Sequence, residues 1–585
     1  MKYPIQTALI CFLLLTLASC GGGSTPVQQQ SGINIVPTTA SVALNGTQAF
    51  NAFLNGTGTA AIQQATWSVN GIAGGNSTVG TISPSGLYTA PASFPNPNTV
   101  TVTATVQSKG SQTANAAVTV MFPNDNSKAQ AIPVKLGTTG GNSTDKTTSG
   151  STVTCCSGTL GALLTRAGAF FILSNNHVLD KSDTGTAGDP ITQPGLVDNN
   201  CSGGTLVANL SQAAALKPTA NTTTGACAGS AILCGPAPSN VDAAIAQIVP
   251  AMVDTSGAIL DLAPNPGATS IGAAPPSSTL AVPSAVLAAN TRVAKSGRST
   301  GLTCSTLQSI NTTVTVNYSA SCGGPSAFTA VFSNQLMING GTFSSTGDSG
   351  SLIVTADAAR PLGLLYGGNS TSTSANPIGD VLAAFSATVV GGGDHAVSCS
   401  PEAGAGPTSS GPSAAQLTVE EKQRISVVQQ KYAPILMRDS AIREIESGVS
   451  ADDPKEGALV LHVSATPSQP VPAQIEGIRT RVIYEGVQPR GLGVSDIERA
   501  SQVKDVHVDD LMAQPGVQGV GVGRSDDNPQ ETALVIYVEE GAQTALPQVV
   551  DGQRTKIVTG DHFRAFGWGR ETATPTTCSK KPAKK

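Results

Sequence analysis

The stretch Thr346-Gly-Asp-Ser-Gly-Ser-Leu-Ile-Val354 places a serine in a glycine-flanked turn that leads directly into an apolar strand. A turn of this kind can expose the serine hydroxyl while neighbouring backbone N–H groups point at the same position. Ser349 is therefore a candidate nucleophile, and the N–H groups of Gly347 and Ser349 are candidate donors to an oxyanion.

A serine nucleophile needs a base that titrates near neutral pH, and histidine is the usual choice. The chain has five histidines, and the first 394 residues contain only one of them, His177. His177 follows the apolar run Ala169-Phe-Phe-Ile-Leu173, which predicts a strand that ends just before it. His177 is the candidate general base.

An imidazole base needs a carboxylate that fixes its tautomer and stabilises the imidazolium. Asp242 stands near the head of the apolar run Val241-Asp-Ala-Ala-Ile-Ala-Gln-Ile-Val249, where its carboxylate would be partly buried. The chain order His, Asp, Ser is that of the chymotrypsin-like double β-barrel. Competing aspartates lie in polar loop sequence, where a solvated turn residue is the simpler interpretation: Asp180, Asp183, Asp189 and Asp198.

Three motifs, Ser174-Asn-Asn-His-Val-Leu179, Val241-Asp-Ala-Ala-Ile245 and Gly347-Asp-Ser-Gly-Ser-Leu352, resemble the catalytic motifs of trypsin-like serine proteases. Further segments are similar to a bacterial branch related to the plant narrow-leaf trypsin-like proteins: Thr159-Leu-Gly-Ala-Leu163, Gln193-Pro-Gly195, Lys295-Ser-Gly-Arg298, Arg360-Pro-Leu-Gly-Leu-Leu-Tyr-Gly-Gly368 and Asn376-Pro-Ile-Gly-Asp-Val-Leu382.

This resemblance implies a serine endopeptidase that acts on peptides or proteins and needs no cofactor. It makes His177 the general base, Asp242 the orienting carboxylate and Ser349 the nucleophile, with the oxyanion hole at Gly347 and Ser349. It also puts Phe343 at the floor of the substrate pocket, with Tyr366 and Gly367 in its wall, so that small or medium apolar side chains are favoured.

The resemblance departs from the usual pattern in two places. Ser351-Leu352 replaces the common Gly-Pro after the serine motif, and Val178 replaces the cysteine that often follows the histidine. Neither change removes a catalytic atom. In relatives made as zymogens Asp348 would pair with a freshly cleaved N-terminus, and here we expect Lys295 or Arg298 to pair with it instead.

The N-terminal segment has the pattern of an export signal. Residues 1–20 combine Lys2 with a short apolar core and end in Leu17-Ala-Ser-Cys20, which looks like a bacterial lipobox. We expect Cys20 to carry a lipid, residues 21–32 to form a tether, and the membrane to be a partner through this anchor. The expected location is the outer membrane or cell surface, with ordinary secretion as the alternative.

Cysteine usage agrees with export. Beyond Cys20 nine cysteines remain, and seven of them lie between residues 155 and 322, as disulfides in an oxidising compartment would require. Cys304 and Cys322 flank an alternating hairpin and Cys227 lies close to Cys234, so both pairings are hypotheses, with Cys578 left as the free thiol. No metal site is expected, since paired Cys-x-x-Cys motifs are absent and histidine is scarce.

The regions around the protease-like segment predict further domains. Residues 33–122 are almost uncharged and alternate as short strands, which resembles a bacterial Ig-like sandwich with Trp67 in its core. A spacer is the simplest role for it, with carbohydrate or cell-wall binding as the alternative. Residues 123–150 and 396–415 have linker composition and bracket the protease-like domain at 151–395.

Beyond residue 415 the composition changes, because residues 416–585 hold 43 of the 69 charged residues. An internal repeat is offset by 75 positions, for example Leu436-Met437 with Leu511-Met512 and Arg479-Thr480 with Arg554-Thr555. Residues 416–490 and 491–566 are each predicted to form a helix followed by three strands. A capping box is predicted at the start of each helix, at Thr418 and Ser495. Residues 567–585 form a basic tail.

The sequence therefore predicts a mainly β, multidomain chain: an Ig-like sandwich, a chymotrypsin-like double β-barrel and two small α/β repeats. The predicted function is a cell-envelope serine endopeptidase that uses a His-Asp-Ser triad and an acyl-enzyme. One alternative is an adhesion or scaffold protein with an idle protease fold, and another is a protease that acts mainly on itself, with cuts in the linkers. A net charge of −5 argues against nucleic-acid binding. The substrate, the oligomeric state and the role of the repeats stay open.

Overall fold

A computed structural model describes residues 33–54, 65–95, 97–107, 111–121, 123–149, 152–267, 270–319, 322–399, 417–566 and 577–579. It is mainly β, with 43% strand and 13% helix, which confirms the predicted class. The chain divides into two compact units, Met1–Met121 and Phe122–Lys585. No helix in the described ranges is long and apolar enough to cross a membrane. The predicted signal, tether and Cys20 lie outside the described residues.

The first unit forms a five-stranded sheet (β2-β11-β10-β5-β6), a four-stranded sheet (β3-β9-β8-β7) and a β1-β4 pair. Its strands are β1 Ile33–Val36, β2 Thr39–Ala43, β3 Thr47–Ala49, β4 Asn51–Leu54, β5 Thr66–Val69, β6 Ile72–Ala73, β7 Gly75–Asn76, β8 Gly80–Ile82, β9 Leu87–Thr89, β10 Thr99–Gln107 and β11 Ser111–Met121. Buried side chains alternate along β10, as one apolar face of a sheet requires. Trp67 is buried, in β5.

The second unit begins with an eight-stranded sheet in the order β15-β12-β18-β19-β21-β17-β16-β28. Its last strand, β28 Thr388–Val389, comes from later in the chain. Leu163, Ile172 and Ile245 of this sheet pack in one buried apolar cluster. The elements are β12 Thr138–Asn142, β13 Lys146–Ser149, β14 Thr152–Cys155, β15 Gly158–Leu160, β16 Ala162–Arg166, β17 Ala169–Ser174, α1 Asn176–Leu179, β18 Pro190–Gln193, β19 Thr205–Ala213, β20 Leu233–Pro236 and β21 Ala244–Ile248.

The chain then builds a second sheet around a long hairpin formed by two strands, β23 and β24. The elements are α2 Pro283–Ala289, β22 Arg292–Gly297, β23 Gly301–Ser319, β24 Ser326–Asn339, β25 Leu352–Thr355, β26 Pro361–Gly368, β27 Ser372–Pro377, α3 Ile378–Phe385 and β28 Thr388–Val389. Strand order from the outer edge is β20-β24-β27-β26-β25-β22-β23.

The prediction of a linker at residues 123–150 is wrong. This stretch carries β12 and β13, and Val134 and Leu136 lie fully buried in the apolar cluster that contains Leu173. Its small and polar residues gave it linker composition, yet β12 is buried along its whole length. At the other predicted linker, Val397 is buried and Cys399 is disulfide-bonded, while residues 400–415 lie outside the described residues.

The repeat region has the same order of elements in each copy. The first copy comprises α4 Val419–Leu436, β29 Ile442–Val449, β30 Gly457–Val463, β31 Gln474–Ile475 and β32 Ile478–Tyr484; the second comprises α5 Val494–Met512, β33 Val517–Arg524, β34 Thr532–Glu539, β35 Val549–Val550 and β36 Gln553–Gly560. The short strands β37 Arg564–Ala565 and β38 Thr577–Ser579 follow.

The two copies differ in how their sheets end. The first copy forms a separate sheet in the order β29-β30-β32-β31, whereas β33 of the second copy pairs with β23 and extends the second sheet to twelve strands. Thr418 forms the predicted capping box with Glu421. The second predicted box is wrong, because the N-cap of α5 is Gly493, two residues before Ser495, and it makes no side-chain capping bond.

The two copies also contact each other through reciprocal bonds. Arg479 Nη1 donates to the carbonyl of Thr555, and Arg554 Nη1 donates to the carbonyl of Thr480, both at 2.8 Å. Both arginines are buried. Arg554 is the residue of the second copy that corresponds to Arg479, and Thr480 is the residue of the first copy that corresponds to Thr555. Each copy therefore makes the same contact with the other, and the two are related by an internal pseudo-twofold axis.

The disulfides correct one hypothesis and confirm another. Cys227–Cys234 forms as predicted. Cys304–Cys322 is wrong, because Cys304 lies near the start of the long strand β23 and Cys322 lies beyond its other end. The bonds are instead Cys156–Cys322, Cys304–Cys399 and Cys155–Cys201. The side chain of Cys578 lies outside the described part of the chain. Four disulfides fit an extracellular or exported protein.

Candidate active site

Ser349 lies in a turn whose backbone conformation favours glycine at positions 347 and 350. Gly347 and Gly350 have φ angles of +96° and +93°, in the left-handed region that favours glycine. A β-carbon at Gly347 would lie 2.6 Å from Arg298 Nη1. The turn is tied to the first sheet, since the N–H of Thr159 donates to the carbonyl of Ser349 at 2.8 Å. Strand β25 begins three residues later.

The structure brings His177 and Asp242 into direct contact. His177 Nδ1 lies 2.6 Å from Asp242 Oδ2, and both side chains are fully buried. The contact follows from the sheet: His177 is in α1, directly after β17, while Asp242 precedes β21, and Ser174 of β17 is paired with Ala244 of β21. With Nδ1 donating to the carboxylate, Nε2 is the nitrogen that can accept a proton.

Tyr318 in β23 is a third member of this cluster, and it was not among the predicted site residues. Its hydroxyl donates to Asp242 Oδ2 at 2.8 Å, and its ring lies edge-on to His177 at 6.1 Å between centroids. Burial, with Asp242 nearby, raises the pKa of Tyr318 well above its usual value, so the hydroxyl stays a donor. A tyrosine in an alternating strand, 76 positions from its partner, gave no sequence signal.

Two asparagines hold the backbone of Asp242. Asn376 Oδ1 accepts from its N–H at 3.0 Å, and Asn175 Nδ2 donates to its carbonyl at 2.7 Å. Both asparagines are buried. The position of the carboxylate is therefore fixed on its backbone side as well as at its oxygens, as an orienting group in a catalytic site needs.

The competing aspartates have other tasks in the structure. Asp183 accepts the N–H groups of Leu216 and Lys217, which fastens one loop to another. The remaining ones are occupied as follows: Asp189 pairs with Lys181, Asp198 pairs with Arg298, and Asp180 ends α1. Asp242 is thus the carboxylate that the fold brings to His177.

The nucleophile and the base are not hydrogen-bonded to each other in this conformation. Ser349 Oγ donates to the carbonyl of Tyr366 at 3.2 Å. His177 Nε2 is buried and has no hydrogen-bond partner within the described residues. Catalytic hydrogen bonds are often long in resting enzymes and shorten when substrate reacts, so a buried, unpartnered Nε2 stays available as a proton acceptor.

Asp348 pairs with Lys295, one of the two partners expected. Lys295 Nζ lies 3.5 Å from Asp348 Oδ2, and both side chains are fully buried. The N–H of Ser299 and the hydroxyl of Thr300 also donate to this carboxylate, at 2.8 and 2.7 Å. Burial lowers the pKa of Lys295, and Asp348 opposes that shift. Arg298 pairs with Asp198 instead.

The expected pocket residues divide between side-chain and backbone roles. Phe343 is buried in one apolar cluster with Leu365 and Phe566. The ring of Tyr366 packs against Phe332 at 5.2 Å, while its carbonyl accepts from Ser349 Oγ. Gly367 offers only backbone. The expected wall would therefore be formed by the main chain of β26 rather than by the tyrosine side chain.

A strand of the same chain, β37, pairs with this expected wall, and no sequence pattern predicted it. Gly367 and Gly368 of β26 pair antiparallel with Ala565 and Arg564 of β37. The N–H of Phe566 donates to the carbonyl of Tyr366 at 3.1 Å, and its carbonyl accepts from the N–H of Gly347 at 2.8 Å. The peptide carbonyl of Phe566 therefore lies on the predicted oxyanion donor. No cluster suited to a metal ion occurs in the described ranges.

Comparisons with known proteins give remote likenesses. No family model matches the sequence, and neither does any curated protein. Among solved structures, a glutamic-acid-specific serine protease is 17% identical and covers 44% of this chain and 100% of its own, with a TM-score of 0.28. The α-lytic protease homolog N4 is 14% identical and covers 44% and 98%, with a TM-score of 0.23. A protocadherin gammaB7 fragment, 17% identical, covers 28% and 43%, with a TM-score of 0.14. Two of these three carry the word protease in their names, and likenesses this remote carry no argument about activity.

Proposed function

We propose that this protein is a serine endopeptidase of the trypsin-like class. The observation that carries the proposal is the buried 2.6 Å contact between His177 Nδ1 and Asp242 Oδ2. The Ser349 turn supports it, because the N–H of Gly347 already binds a peptide carbonyl. Acid, base, nucleophile and oxyanion donor are the set that acyl transfer requires.

In the proposed reaction Ser349 Oγ attacks the carbonyl carbon of a peptide bond while His177 Nε2 takes its proton. Asp242 stabilises the imidazolium, and the hydroxyl of Tyr318 keeps the carboxylate in place. The N–H groups of Gly347 and Ser349 stabilise the oxyanion. His177 then protonates the leaving amine, and water hydrolyses the acyl-enzyme by the reverse roles.

The preferred substrate residue is apolar. Phe343, Leu365 and the buried Phe566 belong to one apolar cluster, and we take the space that Phe566 fills beside Gly347 as the substrate cleft. A charged side chain there would lose its hydration without gaining a partner. We therefore propose an apolar residue on the acyl side of the cleaved bond. Small or medium side chains were expected, and Phe566 extends this size range to phenylalanine.

We also propose that the protein works outside the cytoplasm. The lipobox-like Leu17-Ala-Ser-Cys20 supports a lipid anchor at Cys20, and the four disulfides fit an oxidising compartment. In this arrangement residues 33–122 act as an Ig-like spacer between the anchor and the protease. Loss of radiolabelled palmitate from a Cys20→Ala chain would test the anchor.

The enzyme is tested by labelling with a small fluorophosphonate and by hydrolysis of a phenylalanine-containing peptide. Wild type should react slowly, because Phe566 lies on the N–H of Gly347, and Ser349→Ala and His177→Ala should not react at all. His395→Ala and Ser333→Ala, which change the same residue types away from the site, serve as matched controls and should behave as wild type. Equal labelling of Ser349→Ala and wild type would contradict the proposal.

A further inference from the structure

Residues 563–566 lie in the cleft in the register of a bound substrate. An extended peptide that adds to a sheet edge is held by main-chain bonds, and here Arg564 and Ala565 pair with Gly368 and Gly367. The strand then delivers the carbonyl of Phe566 to the N–H of Gly347 at 2.8 Å. That distance lies within the range for an oxyanion-hole donor.

The side chain of Phe566 fits the cleft as well as its backbone does. Phe566 is 2% exposed and shares an apolar cluster with Phe343 and Leu365. A β-carbon at Gly368 would lie 2.6 Å from Phe566 Cζ, and one at Gly367 would lie 2.5 Å from the carbonyl of Arg564. The two glycines therefore leave the space that this strand fills.

The strand is held in place by hydrogen bonds to the second repeat and to the second sheet. The N–H of Phe563 donates to Gln518 Oε1 in the second repeat at 3.1 Å. Its carbonyl accepts from the N–H of Asn317 in β23 at 3.0 Å, and Asn369 Nδ2 donates to the carbonyl of Asp561 at 2.9 Å. The second repeat thus positions the segment relative to Ser349.

We infer that the protein cuts its own chain on the carboxyl side of Phe566 and so breaks the covalent link to residues 567–585, of which residues 577–579 pair with β14. The inference rests on the proposed function. Ser349 Oγ would form an ester with the carbonyl carbon of Phe566, and the bond to the nitrogen of Gly567 would break. His177 passes the serine proton to that nitrogen, and water then hydrolyses the ester to leave a carboxylate on Phe566.

The first test is the intact mass of the purified full chain under denaturing conditions. Wild type should lack residues 567–585, and a peptide that begins Gly567-Trp568 should appear in fresh preparations, whereas Ser349→Ala should retain its C-terminus at Lys585. A wild-type chain that keeps this terminus would overturn the inference, and so would a Ser349→Ala chain that loses it.

The second test changes the residue in the pocket. Phe566→Asp should abolish the cut, because the apolar pocket cannot hydrate a carboxylate, and Phe566→Leu should keep it. Val506→Asp makes the same kind of change on an exposed face of α5, where the side chain is 73% exposed, and should be cut like wild type. A cut behind position 566 in Phe566→Asp would contradict the assignment.

The Phe566→Asp chain also separates the two proposals. Its cleft is relieved of the apolar anchor, so fluorophosphonate should label Ser349 in it. If this chain is labelled while wild type keeps its tail, the enzyme is active and the self-cleavage is wrong. If neither chain is labelled or cut, the proposed function itself fails. Mixing wild type with Ser349→Ala should leave the variant uncut, because each chain presents its own strand.

Discussion

At the scale of single residues, the site surrounds one buried carboxylate with hydrogen-bond partners. Asp242 is fully buried and accepts from His177 and from the hydroxyl of Tyr318, while Asn376 and Asn175 hold its backbone. A buried carboxylate is costly unless donors satisfy it. The tyrosine therefore serves both to satisfy Asp242 and to set the direction in which His177 points.

Tyr318→Phe removes one donor from Asp242 and leaves the packing almost unchanged. Hydrogen bonds to charged groups contribute about 1.5–3 kcal/mol, so we expect Ser349 to be labelled roughly tenfold to a hundredfold more slowly. The rate is measured with fluorophosphonate in the Phe566→Asp chain, whose cleft is open. Tyr432→Phe, which loses an exposed hydroxyl bonded to Glu476, is the control. Equal rates would show that Tyr318 does not position Asp242.

Lys295→Met should destabilise the second unit strongly. Its ammonium is fully buried beside Asp348, and removing one partner of a buried pair costs about 3–5 kcal/mol. Pulse proteolysis in urea measures the loss. Lys431→Met breaks an exposed pair with Glu476 and should leave the unfolding midpoint unchanged. Equal midpoints for the two variants would contradict this prediction.

At the scale of elements, the first strand of the repeat differs between the copies in whether it can pair with a neighbour. This strand is β29 in the first copy and β33 in the second. In β33, Gly519, Gly521 and Gly523 face β23, and a β-carbon at Gly521 would collide with Thr312. The positions 75 residues earlier in β29 hold Glu444 and Glu446 at two of the three sites. Glycine permits close approach of two strands, whereas charge on an edge strand discourages pairing.

Gly521→Glu gives the second copy the residue of the first and should detach β33 from β23. Backbone amides in residues 309–314 should then exchange with deuterium faster, and the chain should no longer be cut behind Phe566. The amides of β25 report that the rest of the sheet stays folded. Glu446→Gly, the reciprocal change in the first copy, is the matched control. Unchanged exchange at residues 309–314 would contradict the role of these glycines.

Whether a feature could be predicted from the sequence depends on how its partners are placed along the chain. The repeat was visible because identical residues recur at one offset, and Cys227–Cys234 because its partners are close along the chain. The pairing of β33 with β23 was not visible, since Val517-Gln-Gly-Val-Gly-Val-Gly523 indicates no partner. For the same reason Tyr318 and Phe566 escaped notice: each acts on residues far away along the chain, which only the folded sheet brings near.

At the scale of the whole molecule, the repeats share a buried acidic contact. Asp452 Oδ2 accepts from Ser525 Oγ, and Asp527 Oδ2 accepts from Ser450 Oγ, both at 2.6 Å. Burial, with Asp527 nearby, raises the pKa of Asp452 from 3.8 to about 7, although Lys556 acts in the opposite direction. The folded protein therefore keeps a proton that the unfolded chain would release at lower pH.

The pairing of the repeats should accordingly weaken as pH rises. Between pH 3.8 and about 7 the native state binds more protons than the unfolded state, so stability falls as pH increases through this window. Hydrogen exchange in β30 and β34 should be slower at pH 5 than at pH 8, after correction for the intrinsic rate. Asp452→Asn should flatten this dependence while other acidic groups stay unchanged. An equal pH dependence of the exchange rate in wild type and in Asp452→Asn would contradict this prediction.

The strand in the cleft has a consequence for regulation after the cut. Severing the chain behind Phe566 breaks no bond that holds residues 563–566, which stay joined to the enzyme through the chain between residues 399 and 417 and through the pairing of β33 with β23. An inhibitor tethered in this way has an effective concentration of about millimolar, whatever the dilution of the protein. Substrates in solution would have to compete at that level, and full activity would require the second repeat to separate from β23.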